Sequence, residues 1–309
     1  MIAFLFATLL RFGQSQRSVV NADAPFDAAA LTWSGAANGR IRAGGDWIVP
    51  ASDPDIVERH ATAITHFPAT QSLEYEFDAP VADVTVTLFP PIPPSLSPQR
   101  GERVQGEGRF VSRTDWGCPD GESAHLWPPA YTVVTHAVVH HTAGANDLVN
   151  WAAEVLNIWY FHTFTNGWGD IGYNFLIDPN GVIYEGRAGG NGAIGAHYSC
   201  RNTNTVGVAL LGTFSNAPPT DAALASLDRL LADLCKLNAI DPTAIVYHNP
   251  SQLTLPTILG HRDGNPSTQT CTRTECPGDV LYSMLPMIRS DVAAIVSAPQ
   301  APRRRAARP

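Results

Sequence analysis

Val138-Val139-His140-His141-Thr142-Ala143-Gly144 is the stretch on which the reading of this chain turns. An apolar run with β propensity passes straight into two histidines and then into a short Thr-Ala-Gly segment. Neighbouring side chains on a strand point to opposite faces, so His140 and His141 cannot easily share one ion. Three later segments carry further chemistry. They are Asp170-Ile171-Gly172-Tyr173-Asn174-Phe175, Gly260-His261-Arg262-Asp263 and Thr274-Glu275-Cys276-Pro277-Gly278. Together they offer His, His and Cys. Zinc favours imidazole and thiolate, and a catalytic zinc leaves its fourth tetrahedral position to water. The chain has no His-Glu-x-x-His helix, so a metallopeptidase with that glutamate base is not supported.

In order and context these four segments resemble the type 2 N-acetylmuramoyl-L-alanine amidases and their relatives, the peptidoglycan recognition proteins. The resemblance runs over roughly residues 111 to 298 and includes the opening Val111-Ser-Arg-Thr-Asp-Trp-Gly117. It implies a central mixed β-sheet with flanking helices. It also implies zinc held by His140, His261 and Cys276, with Tyr173 and Thr274 as catalytic groups. It further implies substrate-binding roles for His141, Trp168, Arg187 and His197, the last three in segments that resemble the family's substrate groove. The implied reaction is zinc-dependent hydrolysis of the amide between the lactyl group of N-acetylmuramic acid and L-alanine. The alternative is a peptidoglycan-binding module without catalysis. The implied setting is secreted, extracellular or periplasmic. The implied partner is peptidoglycan or a muropeptide, and the expected state is a monomer.

In one place the chain departs from the family pattern. The family's thiolate or carboxylate ligand commonly lies eight positions after the second histidine. Here Cys271 follows His261 by ten positions and Cys276 by fifteen. Context selects Cys276, because Thr-Glu-Cys-Pro-Gly matches the family segment. The difference of fifteen and eight then implies a seven-residue insertion from Gly264 onward. The family places the loops of Cys200 and Cys271 around the groove, which implies a Cys200–Cys271 disulfide. Of five cysteines, removing one ligand leaves four, a number that permits two disulfides. Cys235 sits on the apolar stripe of a helix and reads as a free, buried thiol.

Around this core the chain divides in order. Residues 1–18 are a possible signal segment, although no basic residue precedes its apolar run and no Ala-x-Ala site follows. Residues 19–91 read as a β-rich accessory module, with period-two alternation in Leu73–Phe77 and Val84–Leu88. His60 and His66 within it read as surface residues. Residues 92–110 form a Pro- and Gly-rich linker. Residues 111–298 form the zinc amidase domain, and 299–309 a basic, disordered tail. A module that shares no ligand-type cluster with the domain is expected to fold separately and to be dispensable for chemistry.

Within the second domain, the pattern predicts a strand over 132–140 and a helix over 147–162. It predicts a hairpin of 173–178 with 182–185, joined by Asp178-Pro179-Asn180-Gly181. It predicts a buried central strand over 206–211. A helix capped by Thr220 and ending at Asn238 follows, then a third helix from Asp279. Strands alternating with helices make this an α/β domain. His136, His162 and His248 read as structural. With 309 residues and 44% hydrophobic content the chain is globular, and its net charge of −8 gives no sign of a nucleic-acid partner. No apolar run reaches the roughly 18 residues of a membrane span, so the chain reads as not transmembrane.

Overall fold

The computed structural model describes residues 8–50, 52, 60–91, 109–121, 126–267, 271 and 273–298. The linker from 92 to 108, the tail from 299 and residues 1–7 lie outside the described residues.

The first unit is a five-stranded sheet. Its strands are β1 (Thr8–Phe12), β2 (Ser15–Ser34), β3 (Gly39–Arg42), β4 (His60–Ala61) and β5 (Thr65–Phe89). The order is β1-β5-β2-β4, with β3 on β5. As β2 runs from Ala28 to Thr32, its partners on β5 descend from Phe89 to Thr85, and Ala29 also meets Thr65. One long strand thus folds around the other. The alternation seen in sequence does its expected work. Leu73, Tyr75, Phe77, Val84, Val86 and Leu88 point into a core shared with Leu31, Trp33 and Ile41. Residues 8–12 and 15–18, expected within a signal segment, are strands of this sheet.

The second unit is a six-stranded mixed sheet in the order β13-β7-β10-β8-β9-β6. The strands are β6 (Phe110–Val111), β7 (His136–His141), β8 (Phe175–Ile177), β9 (Ile183–Glu185), β10 (Thr205–Leu210) and β13 (Ile258–Gly260). A separate hairpin, β11 (Ile245–His248) with β12 (Leu253–Pro256), precedes β13. The helices are α1 (Trp151–Tyr160), α2 (Asp221–Asn238) and α3 (Asp279–Ser297). On one face, Val139, Val206, Val208, Phe175 and Ile177 pack with Leu227 and Leu231 of α2 and Leu281, Leu285 and Ile288 of α3. On the other, Ala209 and Leu176 pack with Val155, Ile158 and Trp159 of α1. Central β10 is buried along its whole length, as its unbroken apolar run predicts. Helix α3 is long and apolar enough to cross a membrane, yet Leu281, Leu285, Ile288 and Val292 turn its apolar side into this core.

Helix starts follow their caps. Asn150 accepts from the Ala153 N–H at 3.2 Å, so α1 begins at Trp151 rather than at Asp147. Its last turn widens into a π-helical stretch, Phe161–Thr165. Thr220 caps α2 by accepting from the Ala223 N–H at 3.1 Å.

The two units share one apolar cluster. Ala28, Ala30, Ile64 and Phe89 of the first pack with Trp151, Ile158, Phe161 and Tyr173 of the second. Thr87 and Thr165 join hydroxyls across the boundary at 2.9 Å. His66, expected at the surface, bonds to the buried Glu154 of α1 at 2.9 Å. The module, expected to fold separately, thus shares part of its apolar core with the second unit. Burying a large apolar side chain stabilises by roughly 1.5–3 kcal/mol, so Ile64 and Phe89 alone contribute about 3–6 kcal/mol. A chain beginning at Arg109 should be less stable by that order in denaturant titration, with earlier unfolding of α1 by hydrogen exchange. Equal stability of the shortened and full chains would contradict the shared core.

Candidate metal centre

Strand alternation on β7 sets the centre. Ala137 and Val139 face α2 and α3, so His140 faces the opposite side, at the end of a strand paired in parallel with β10 and β13. His261 begins a 3-10 turn directly after β13, where Asp263 accepts from the Gly260 N–H at 2.9 Å. Cys276 comes back to the same place because its carbonyl accepts from the Arg262 N–H at 2.9 Å. All three side chains are buried, and their ligand atoms lie within 4.8 Å of one another.

The donor set fits zinc. Bonds of about 2.0–2.1 Å to nitrogen and 2.3 Å to sulfur, at a tetrahedral angle, put the two donors roughly 3.5 Å apart. His140 Nδ1 and Cys276 Sγ stand 3.6 Å apart. Burial drives His140 well below the ordinary histidine range, helped by His261 and His197, and drives His261 down to about 3. Both imidazoles are therefore neutral at pH 7, the form that binds metal.

The remaining nitrogen of His140 is held from behind. His140 Nε2 lies 3.0 Å from His197 Nδ1, and His197 Nε2 lies 3.4 Å from the Thr205 hydroxyl. Sequence reasoning placed His197 toward the substrate groove. Instead its ring is fully buried, in space left open by Gly195 and by Gly207 of β10. A Cβ at Gly207 would stand 2.5 Å from that ring. His141 likewise turns away from the groove. Its ring accepts from the Phe214 N–H at 3.3 Å, and its own backbone N–H points at Cys276 Sγ from 3.4 Å. Arg187 is buried too, donating to the Ile171 carbonyl at 3.0 Å, and burial lowers its pKa to about 10. Only Trp168 of these four is part-exposed, 4.6 Å from the His162 ring.

Tyr173 is buried with its ring 5.3 Å from that of His140. The Thr274 hydroxyl accepts from the backbone N–H of Cys276 at 3.0 Å, which fixes the turn that carries the thiol. The apparent insertion is closed at its base. Asn265 donates to the Thr274 carbonyl at 2.9 Å and accepts from the Thr274 N–H at 3.0 Å. Cys271, inside this loop, is disulfide-bonded to Cys200 and so is no longer a free thiolate for metal. His136, His162 and His248 are buried and hydrogen-bonded, as expected of structural residues. The roles of His197 and Gly207 carry no local motif. The one sequence hint is a glycine inside a strand, which marks close approach of another group.

The family model described as N-acetylmuramoyl-L-alanine amidase matches residues 130–279. Peptidoglycan-recognition protein SC2 of Drosophila simulans is 32% identical over 176 residues, which cover 56% of this chain and 83% of that protein. The human N-acetylmuramoyl-L-alanine amidase is 34% identical over 152 residues, which cover 48% of this chain and 23% of the enzyme. Among solved structures, Drosophila PGRP-LB is 28% identical, with a TM-score of 0.45 over 58% of this chain and 92% of that one.

Two outcomes follow from this geometry. His197→Ala removes the group that orients His140, and zinc affinity should fall by about 10–100-fold in competition with a chelator. Unchanged affinity would show that His140 needs no such support. The second concerns acid. Burial lowers His162 to about 3 and His136 to about 4, both below the ordinary 6.5. Above 6.5 these residues are neutral folded or unfolded. As pH falls below 6.5 the unfolded chain takes protons first, so stability should drop, by up to about 1.4 kcal/mol per pH unit for each histidine. Denaturant titrations of metal-free protein from pH 7 to 4.5 measure it; a flat profile would refute the buried neutral state.

Proposed function

Because this chain belongs to the family of peptidoglycan-recognition proteins and N-acetylmuramoyl-L-alanine amidases, we propose that it cleaves the amide between the N-acetylmuramic acid lactyl group and L-alanine in peptidoglycan, using zinc held by His140, His261 and Cys276. The observation that carries this reading is the buried His-His-Cys set, with its donor atoms within 4.8 Å. Recognition of peptidoglycan alone gives no reason to bury two neutral imidazoles and a thiol together.

Zinc in this position supplies a Lewis acid that polarises the scissile carbonyl and acidifies water. The protein supplies the rest. His140 and His261 reach the metal as neutral donors because burial keeps them unprotonated. His197 and the His141 backbone N–H fix the positions of His140 and the thiol. Tyr173, beside His140, donates its phenolic hydrogen bond to the oxyanion that develops on the carbonyl. The Thr274 hydroxyl, which accepts from the Cys276 N–H, keeps its own hydrogen for the same oxyanion or for a substrate carbonyl. Trp168 offers a part-exposed aromatic face to sugar or peptide. The Cys200–Cys271 disulfide suits a protein that works in an oxidising compartment outside the cytoplasm.

Three variants separate these roles. Cys276→Ala should lose bound zinc and all hydrolysis. Cys271→Ala should retain both, with lower stability. Tyr173→Phe should keep zinc and bind peptidoglycan while turnover falls by about 10²–10³-fold. The readouts are zinc per chain, peptidoglycan pull-down and release of new L-alanine amino termini. Wild-type protein that binds peptidoglycan yet releases no amino termini when zinc is supplied would replace the amidase reading with a recognition protein.

A further inference from the structure

The segment from His197 to Asn202 reaches behind both imidazoles of the metal centre. Asn202 Oδ1 accepts from the His197 N–H at 2.8 Å and from the Tyr198 N–H at 2.7 Å, which fixes the backbone from which the two rings project. His197 stands behind His140. Tyr198 stands beside His261, with ring centroids 5.5 Å apart and the rings edge to face. Tyr198 is fully buried and packs with Val138 and Leu259, which lie two residues before His140 and His261. The Arg201 guanidinium covers the Tyr198 ring, 5.0 Å from its centroid. Its Nη1 donates to the carbonyl of Gly264, the last residue of the 3-10 turn that begins with His261. Glycine permits that approach, because a Cβ at Gly264 would stand 2.8 Å from the Tyr198 hydroxyl oxygen and 2.9 Å from Arg201 Cζ.

Arg201 is 1% exposed, and among the described residues its Nε and Nη2 have no hydrogen-bond partner. A buried guanidinium satisfied on one side only is costly. An apolar side chain of similar volume would fill the same space more cheaply, but it would offer no donor to the Gly264 carbonyl. We propose that Arg201 is a positioning residue for the zinc ligand His261. Through the Gly264 carbonyl it holds the turn that carries the ligand, and through Tyr198 it holds the surface on which the imidazole rests. A metal site needs its ligands kept within about 0.5 Å of the working geometry, and His261 sits on a turn rather than inside a strand. The one segment therefore supports both imidazoles by different means: His140 by a ring-to-ring hydrogen bond, His261 by its backbone turn and by ring packing. This inference deepens the metal-centre reading and rests on His261 as a zinc ligand.

The test uses the full chain with its Cys200–Cys271 disulfide intact. Arg201→Leu keeps much of the volume and removes the donors. Its zinc affinity, measured by competition with a chelator, should fall by about tenfold, the low end for loss of a group that supports a metal ligand. Arg201→Lys keeps a charged donor on a long side chain and should recover most of that loss. Cobalt(II) in place of zinc gives a second readout. Its visible absorption bands should change in Arg201→Leu and return toward wild type in Arg201→Lys. Circular dichroism and denaturant titration of the metal-free proteins report the fold separately. A role confined to stability predicts earlier unfolding with zinc affinity unchanged, and that result overturns the proposal. A loss of affinity that the two Arg201 variants share equally overturns it too. If Arg201→Leu does not fold, Tyr198→Leu is read by the same two metal measurements: weaker zinc binding supports the proposal and unchanged binding overturns it. Wild type that binds no zinc means that the metal reading itself has failed, and the inference falls with it. Wild type that binds zinc no more tightly than Arg201→Leu overturns the inference alone.

Discussion

The His140–His197 hydrogen bond is the contact on which the site depends. It exists because three independent features of the sheet coincide. Alternation on β7 turns His140 to the α1 side. The loop before β10 brings His197 back over that strand. Gly207, which lies opposite Val138 in the register, offers no side chain to block it. A neutral imidazole can hold a metal well only if its ring is fixed and its other nitrogen is satisfied. Here both conditions are met by a second neutral imidazole, itself anchored at Thr205.

A second constraint acts on the thiol. Cys276 lies on a loop that is longer than the family pattern, and a longer loop costs more ordering entropy. That cost is offset locally. Asn265 and Thr274 close the loop's base, the Arg262 N–H holds the Cys276 carbonyl, and the disulfide ties Cys271 to Cys200. Cys276 is thereby held beside His140, with its Sγ 3.6 Å from the His140 Nδ1.

The first unit changes the character of α1. Ile64 and Phe89 pack in one cluster with Ile158 and Trp159 of α1 and with Phe161 just beyond it, and His66 meets Glu154 of the same helix. Glu154 is thus taken out of solvent with a single partner, and the groove near Tyr173 gains a wall that the second unit does not encode.

Much of this was present in the linear pattern. Period-two alternation marked the core strands, Thr220 and Asn238 bounded α2, and the turn chemistry of Asp178-Pro179-Asn180-Gly181 made a hairpin of β8 and β9. Residue type and context singled out His140, His261 and Cys276, because metal chemistry restricts which side chains can serve and strand alternation restricts which of two histidines can face inward. The sequence could not say which side chains stand behind those donors. His197, His141 and Arg187 belong to segments near the groove, yet whether a ring points into the groove or away from it depends on the strand packed beside it. Nor could it say that His66 would meet Glu154, residues 88 apart in the chain. Contacts of that kind leave no periodic trace, since they arise only when separately folded surfaces are pressed together; the tertiary structure alone decided them.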